Sequence, residues 1–276
     1  YLYKYIKVME GALIGSGQRL WIYDSPVSHK HGMLKPELMR RYMALFDQAE
    51  KAVAGDSVRL ARVQRTRLPL LYSELEIARS EKNMDISELS EKLDYFEQQV
   101  RLFEVPTLNE RSNSPVEYCE LFRSRYMPRA DKSIAEGASV IFIDAPEKAY
   151  QELGRTALTD GLYGGAGFVE GWVGWEGRDA SFVIDLGEIK EIHTIETDFL
   201  HQLGAWVLLP VQVSYEISSD GEEYALASVR DLPEDRSAKI QFVGVRHDFT
   251  EPAKARYIKV NVTGTKTCPH WHYGVG

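Results

Sequence analysis

A chain of 276 residues is long for one hydrophobic core and comfortable for two domains of ordinary size. Its composition, 44% hydrophobic and 27% charged, is that of a globular protein, and no apolar run approaches the roughly 20 residues a membrane helix needs. The net charge of −8, with Lys and Arg scattered among carboxylates, argues against nucleic acid or an anionic lipid surface as partner and for a neutral ligand.

Residues 1–125 read mainly as helix. From Pro36 to Val53 the apolar positions Leu38, Tyr42, Leu45, Phe46, Ala49 and Val53 recur at helical spacing, with Pro36 suited to a first helical position and Gly55 to a stop. Ser57 to Arg79 continues in the same way, and Pro69 removes one amide donor, which predicts a kink. Ile86, Leu89, Leu93, Phe96, Val100 and Phe103 form a third stripe, entered through Asp85 or Ser87 and closed by Pro106. Ser114-Pro115-Val116-Glu117 has the form of a capping box ahead of Tyr118, Leu121 and Phe122. Four or five such helices with short links predict a bundle.

The segment 126–137, containing Pro128, has no stripe and reads as a linker. From residue 138 to 276 the period changes to two. Strands are expected at Ser139 to Ile143, Ser181 to Leu186, Ile192 to Thr197, Val211 to Ser218, Ile240 to Val243 and Tyr257 to Val262, many of them separated by turns such as Asp160-Gly161 and Asp220-Gly221. Strands without intervening helices imply an antiparallel β-sandwich or jelly roll. The expected fold is therefore a helical bundle followed by such a sandwich. The two cysteines, Cys119 and Cys268, fall in different expected domains, so a disulfide framework is not expected. Starting at Tyr1 and stopping in an aromatic, glycine-rich stretch, the chain reads as cut at both ends.

Leu158-Thr159-Asp160-Gly161, Gly171-Trp172-Val173-Gly174-Trp175, Ile184-Asp185-Leu186-Gly187, Pro210-Val211-Gln212-Val213, Ser218-Ser219-Asp220-Gly221 and Ala255 to Val260 occur in the order of a discoidin domain. The second half thus resembles the coagulation factor five/eight type C family, whose bacterial carbohydrate-binding representatives are the family-32 modules. The stretch Thr197 to Val207 is similar to the variant at the C-termini of bacterial chitobiases. Asp24-Ser25-Pro26-Val27, with Arg65 to Glu76 further on, resembles the helical region that follows the catalytic barrel in glucuronidase-like glycoside-hydrolase proteins of gut Bacteroidetes.

These resemblances imply a non-catalytic C-terminal part of a secreted or periplasmic bacterial glycoside-hydrolase-like protein, partnered by carbohydrate and by its own missing catalytic domain. Sugar recognition needs a flat apolar ring and planar polar groups. His201, Gln202 and Trp206 lie in a loop that often contacts sugar in family-32 modules, Arg230 stands where that family often reads a hydroxyl, and His270, Trp271 and Tyr273 are expected at the same end of the sandwich. Asp160 matches a position that in many discoidin domains binds a structural Ca²⁺. The alternative is an accessory domain that packs against its parent without binding sugar.

Other chemistry-bearing residues have plainer readings. Trp172 and Trp175 are expected to pack beneath the barrel mouth more than to stack on sugar. His29-Lys30-His31 lacks a third metal ligand at fixed spacing. Glu74 and Glu76, two apart on a helix, do not face each other as glycosidase carboxylates must, and are expected on a solvated face. Trp21, Asp24 and His29 are the residues that would reach a missing barrel if the loop from Gln18 to Leu34 contributes to an active site.

Overall fold

The computed structural model describes residues 1–21, 24–81, 85–108, 114–127 and 132–274. The chain divides into two compact units, Tyr1–Arg129 and Ala130–Gly276. Pro128, in the expected linker, lies outside the described residues.

The first unit contains α1 (Leu2–Ser16), α2 (Pro36–Ala52), α3 (Ser57–Arg79), α4 (Ile86–Leu102) and α5 (Pro115–Leu121). Their starts follow from local chemistry. The Asp56 side chain accepts from the Arg59 amide and begins α3; Asp85 accepts from the Ser87 and Glu88 amides and begins α4. Ser114 and Glu117 form the reciprocal capping box of α5, with Pro115 at a position that needs no amide hydrogen. Long α3 serves two cores. Val63 and Leu70 pack with Tyr42, Phe46 and Ala49 of α2 and, at the margin, Tyr5, Val8 and Met9 of α1. The second half of α3 packs Leu71, Leu75 and Ala78 with Leu89, Leu93 and Phe96 of α4 and Tyr118 and Phe122 at the end of the unit.

The sequence did not single out α1, and it placed Glu76 wrongly. Helix α1 has no fully buried residue, and Tyr3, Ile6 and Ile14 remain exposed, so its apolar residues do not make one clean stripe. Glu76 is not on a solvated face: it is buried and holds Arg79 through two hydrogen bonds of 2.8 and 2.6 Å. The cause is the three-residue spacing, which stacks the pair on one helix face, and Tyr118 Oη adds a third bond to Glu76 at 2.9 Å. Glu74 is half-buried and pairs with Lys92 instead. His29 is also buried, its Nε2 2.9 Å from an Asp24 carboxylate oxygen that accepts the Trp21 amide.

The second unit is an antiparallel sheet of β1 (Ser139–Phe142), β2 (Ala180–His201), β3 (Gln212–Ser218), β4 (Ala225–Asp231) and β5 (Gln241–Thr263), in the order β1-β2-β5-β3-β4. A short helix, α6 (Gln151–Ala157), follows β1. Strands expected as separate pieces are continuous: β2 joins the two expected between Ser181 and Thr197, and β5 joins those near Ile240 and Tyr257. Register shifts between Asp185 and Lys190 and between Ile192 and Thr194 mark where these long strands bend, one of them beside Gly187 at φ +81°. Bulged bends let one strand pass from one layer of a sandwich to the other.

Tyr215 records the resulting two layers. It lies on β3 opposite Val260 of the C-terminal half of β5, and its hydroxyl donates to the Val245 carbonyl in the N-terminal half at 2.7 Å. The core between the layers combines Phe182, Ile195, Val213, Tyr215, Val245 and Val260. The fold is thus a set of helices followed by an antiparallel β-sandwich. Trp172 and Trp175 belong to its packing: each indole N–H donates to a backbone carbonyl, of Gly165 at 2.8 Å and of Asp144 at 2.9 Å, and Trp175 stacks on Phe182.

Candidate functional site

The end of β2 builds the most distinctive surface of the sandwich. After His201 the chain makes a tight turn at Leu203–Ala205, closed by mutual backbone bonds between Gln202 and Val207. Trp206 completes it with φ +62°, a left-handed conformation that is costly for a bulky residue. The strain projects the indole outward, and Trp206 is 57% exposed.

Beneath it sits His272, 1% exposed. The Gly274 amide donates to its Nδ1 at 3.0 Å, which fixes the ring proton on Nε2, and Nε2–H donates to the Leu203 carbonyl at 3.0 Å. One buried ring therefore ties the terminal aromatic loop to the β2 turn. Trp206 lies 5.1 Å from this ring and Tyr273 stacks on it at 4.7 Å, leaving Tyr273 70% exposed. Gly274 allows the closeness, since a β-carbon there would stand 2.6 Å from the Trp206 ring. Replacing His272 by Ala is expected to lower stability by about 1–3 kcal/mol, because the Gly274 amide loses its acceptor and the Leu203 carbonyl keeps only the Trp206 amide as donor. Trp206 should lose its support at the same time. Denaturant melts and tryptophan emission report both, and unchanged values for the variant would contradict this role.

The loop after β4 adds polar groups. The Trp271 indole donates to Glu234 Oε2 at 2.6 Å, Arg236 Nε donates to Glu234 Oε1 at 2.7 Å, and the Arg236 guanidinium stands 5.0 Å over the Trp271 ring. The Trp271 bond, then Arg236, holds the Glu234 carboxyl below the usual carboxylate range. Asp235 accepts from the Ser237 amide and the Gln241 side chain, and its pKa is lowered chiefly by the first.

The expected site residues thus meet different fates. Trp206, Trp271 and Tyr273 come together around His272, and exposed His270 belongs to the same loop. His201 does not reach the surface: it is fully buried, Nε2 bonded to the Ser237 carbonyl at 3.0 Å, because it lies on the inward side of the β2 end. Its Nδ1 and the Gln202 Oε1 are buried without a hydrogen-bond partner among the described residues. Arg230 is exposed on edge strand β4 opposite Val213, and the guanidinium beside the aromatic loop is that of Arg236. Glu234 and Arg236 escaped the sequence reading; their only signal was a charged triplet after Pro233.

Asp160 caps its own turn, one carboxylate oxygen accepting the Leu162 amide at 2.8 Å. Ca²⁺ takes six to eight oxygen ligands. Among the described residues no group of three or more His, Cys, Asp or Glu gathers to hold a metal.

A two-layered antiparallel sandwich with an aromatic loop end defines the class of this unit. Residues 143–274 match the F5/8 type C domain family, and the unit carries a domain of that type. Among solved structures, CpGH89CBM32-6 of Clostridium perfringens is similar at 21% identity, over 34% of this chain and 65% of that one, with a TM-score of 0.26. A fucose-binding module of Streptococcus pneumoniae is similar at 11% identity, over 49% and 90%, with a TM-score of 0.36. The C-terminal domain of a chitobiase from Bacteroides fragilis is similar at 20% identity, over 37% and 57%, with a TM-score of 0.21. No protein of curated function matches the sequence.

Proposed function

We propose that the C-terminal unit is a carbohydrate-binding module and that the chain is a non-catalytic part of a bacterial glycoside-hydrolase-like protein, acting at the cell surface or in the periplasm. The observation that carries this reading is Trp206, a large aromatic held exposed by a strained backbone beside exposed Tyr273. A buried aromatic stabilises a fold, whereas one projected at a conformational cost is suited to the C–H face of a sugar ring. Glu234 and Arg236, paired to each other at the rim, offer an acceptor and donors for hydroxyls without a net charge. The F5/8 type C match supports the same reading. Such a module needs only weak affinity, because tethering raises the effective concentration of a linked catalytic domain at its polysaccharide.

A second reading has its own support. The Trp271 indole N–H is already spent on Glu234 and both His201 and His272 are buried, as in a loop built for packing against a protein partner. Trp206→Gly separates the two. Glycine adopts the left-handed backbone freely, so the variant is expected to be as stable as the parent or more so, by up to about 1 kcal/mol. In affinity electrophoresis of the intact chain against neutral polysaccharides, the lectin reading expects at least about tenfold weaker binding by this variant. Retardation equal to the parent's, or none by the parent on any glycan, would favour the packing role.

A further inference from the structure

The helical unit holds a cationic groove that the glycan site does not explain. It encloses about 570 Å³ between α1 and the start of α2, and its charged lining is Lys7, His31, Lys35 and Arg41, without a carboxylate. Space reaches down to the α1 backbone, since a β-carbon at Gly11 or Gly15 would meet nothing within 4 Å. Val8 and Leu38 supply an apolar wall.

Elsewhere in the unit Arg67, Arg79, Arg101 and Arg123 each hold a carboxylate at 3.1 Å or less. In the groove Lys7 binds Glu10 at 2.7 Å, while Lys35, Arg41 and His31 make no ion pair or side-chain hydrogen bond among the described residues. Exposed Arg40, Arg62 and Arg65 of this unit also make no ion pair among the described residues, so what distinguishes the groove is that its cations line one concavity. In a chain of net charge −8, two unpaired full cations and an imidazole converge on one concavity. Like charges so placed repel, and an oxyanion between them would relieve the repulsion while accepting their N–H donors.

We propose that this groove binds a compact anionic ligand, a phosphate, sulfate or carboxylate carried on a body with an apolar face. The volume exceeds that of a bare oxyanion and lies within the range of small-molecule sites. The groove belongs to the helical unit, and the proposal does not depend on the glycan reading.

The test is NMR of the intact chain labelled with ¹⁵N-glycine, following the Gly11, Gly15 and Gly32 amides during titration with glucose 6-phosphate, glucose 6-sulfate, gluconate, inorganic phosphate and neutral glucose at millimolar concentrations. At least one of the anionic sugars is expected to shift these amides saturably, inorganic phosphate more weakly and glucose not at all. The exposed pair Lys35→Glu and Arg41→Glu should weaken binding at least about tenfold without changing the glycine amides of the sandwich. Shifts of equal size with glucose, no shift with any anion, or unchanged affinity in the double variant would overturn the proposal.

Discussion

Replacing Glu76 by Ala is expected to destabilise the helical unit by about 3–5 kcal/mol, the usual cost of breaking a buried ion pair by removing one partner. Arg79 loses two short hydrogen bonds in a site where its side chain is 5% exposed, and Tyr118 Oη loses its acceptor. Burial first, and the Glu76 carboxylate next, raise the Tyr118 phenol well above its ordinary pKa. The Arg79 guanidinium also lies 5.0 Å over the Tyr126 ring, a contact too weak to replace a carboxylate.

The companion variant makes the prediction sharp. Glu76→Leu combined with Arg79→Met removes both charges and fills the space with apolar atoms, which for buried ion pairs is often near neutral or stabilising. The double variant should therefore be more stable than Glu76→Ala alone. Denaturant unfolding followed by far-ultraviolet circular dichroism, dominated by the helices, reads both. A Glu76→Ala variant within about 1 kcal/mol of the parent would show that water or rearrangement satisfies Arg79.

Glu76 also marks the limit of what the sequence shows. Helices α2 to α5 were legible because each has an apolar face and a marked start, Pro36 for α2 and side-chain caps for α3 to α5, down to the reciprocal Ser114–Glu117 box. The burial of Glu76 depends on Tyr118, 42 residues away, and no local pattern reports such a partner. Helix α1 was obscured for a different reason: Leu2, Tyr5, Val8 and Met9 pack inward while Tyr3, Ile6 and Ile14 stay exposed, which blurs the period.

In the sandwich, alternation located the strand cores, but the charged stretches Gly187 to Glu191 and Asp248 to Lys254 read as breaks although β2 and β5 run through them with shifted register. The aromatic half of the candidate site was visible as Trp206 and the run from His270 to Tyr273. Its polar half was not, since the Glu234–Trp271 bond spans 37 residues and choosing Arg236 over Arg230 requires knowing where β4 ends. Nor could alternation tell that His201 turns inward while Trp206 turns outward, because the turn between them leaves the strand period.

The two-layer architecture leads to the other large effect, at Tyr215, which is fully buried between the layers. Since its hydroxyl proton goes to the Val245 carbonyl, the 2.6 Å contact with Thr197 must be a bond donated by the threonine. One side chain on β3 thus fastens β5 at Val245 and β2 at Thr197, four residues before β2 ends at His201. Tyr215→Phe keeps the ring and deletes both bonds, and about 1–3 kcal/mol of lost stability is expected from losing the two. Tyr215→Ala adds a cavity between the layers, for a total near 3–5 kcal/mol. Near-ultraviolet circular dichroism through a urea titration gives both values. Equal losses for the two variants would assign the whole effect to the hydroxyl, and no loss with Phe would assign it to the ring. The expected graded loss would mean that polar bracing and apolar filling together hold the β2 end on which the aromatic loop is built.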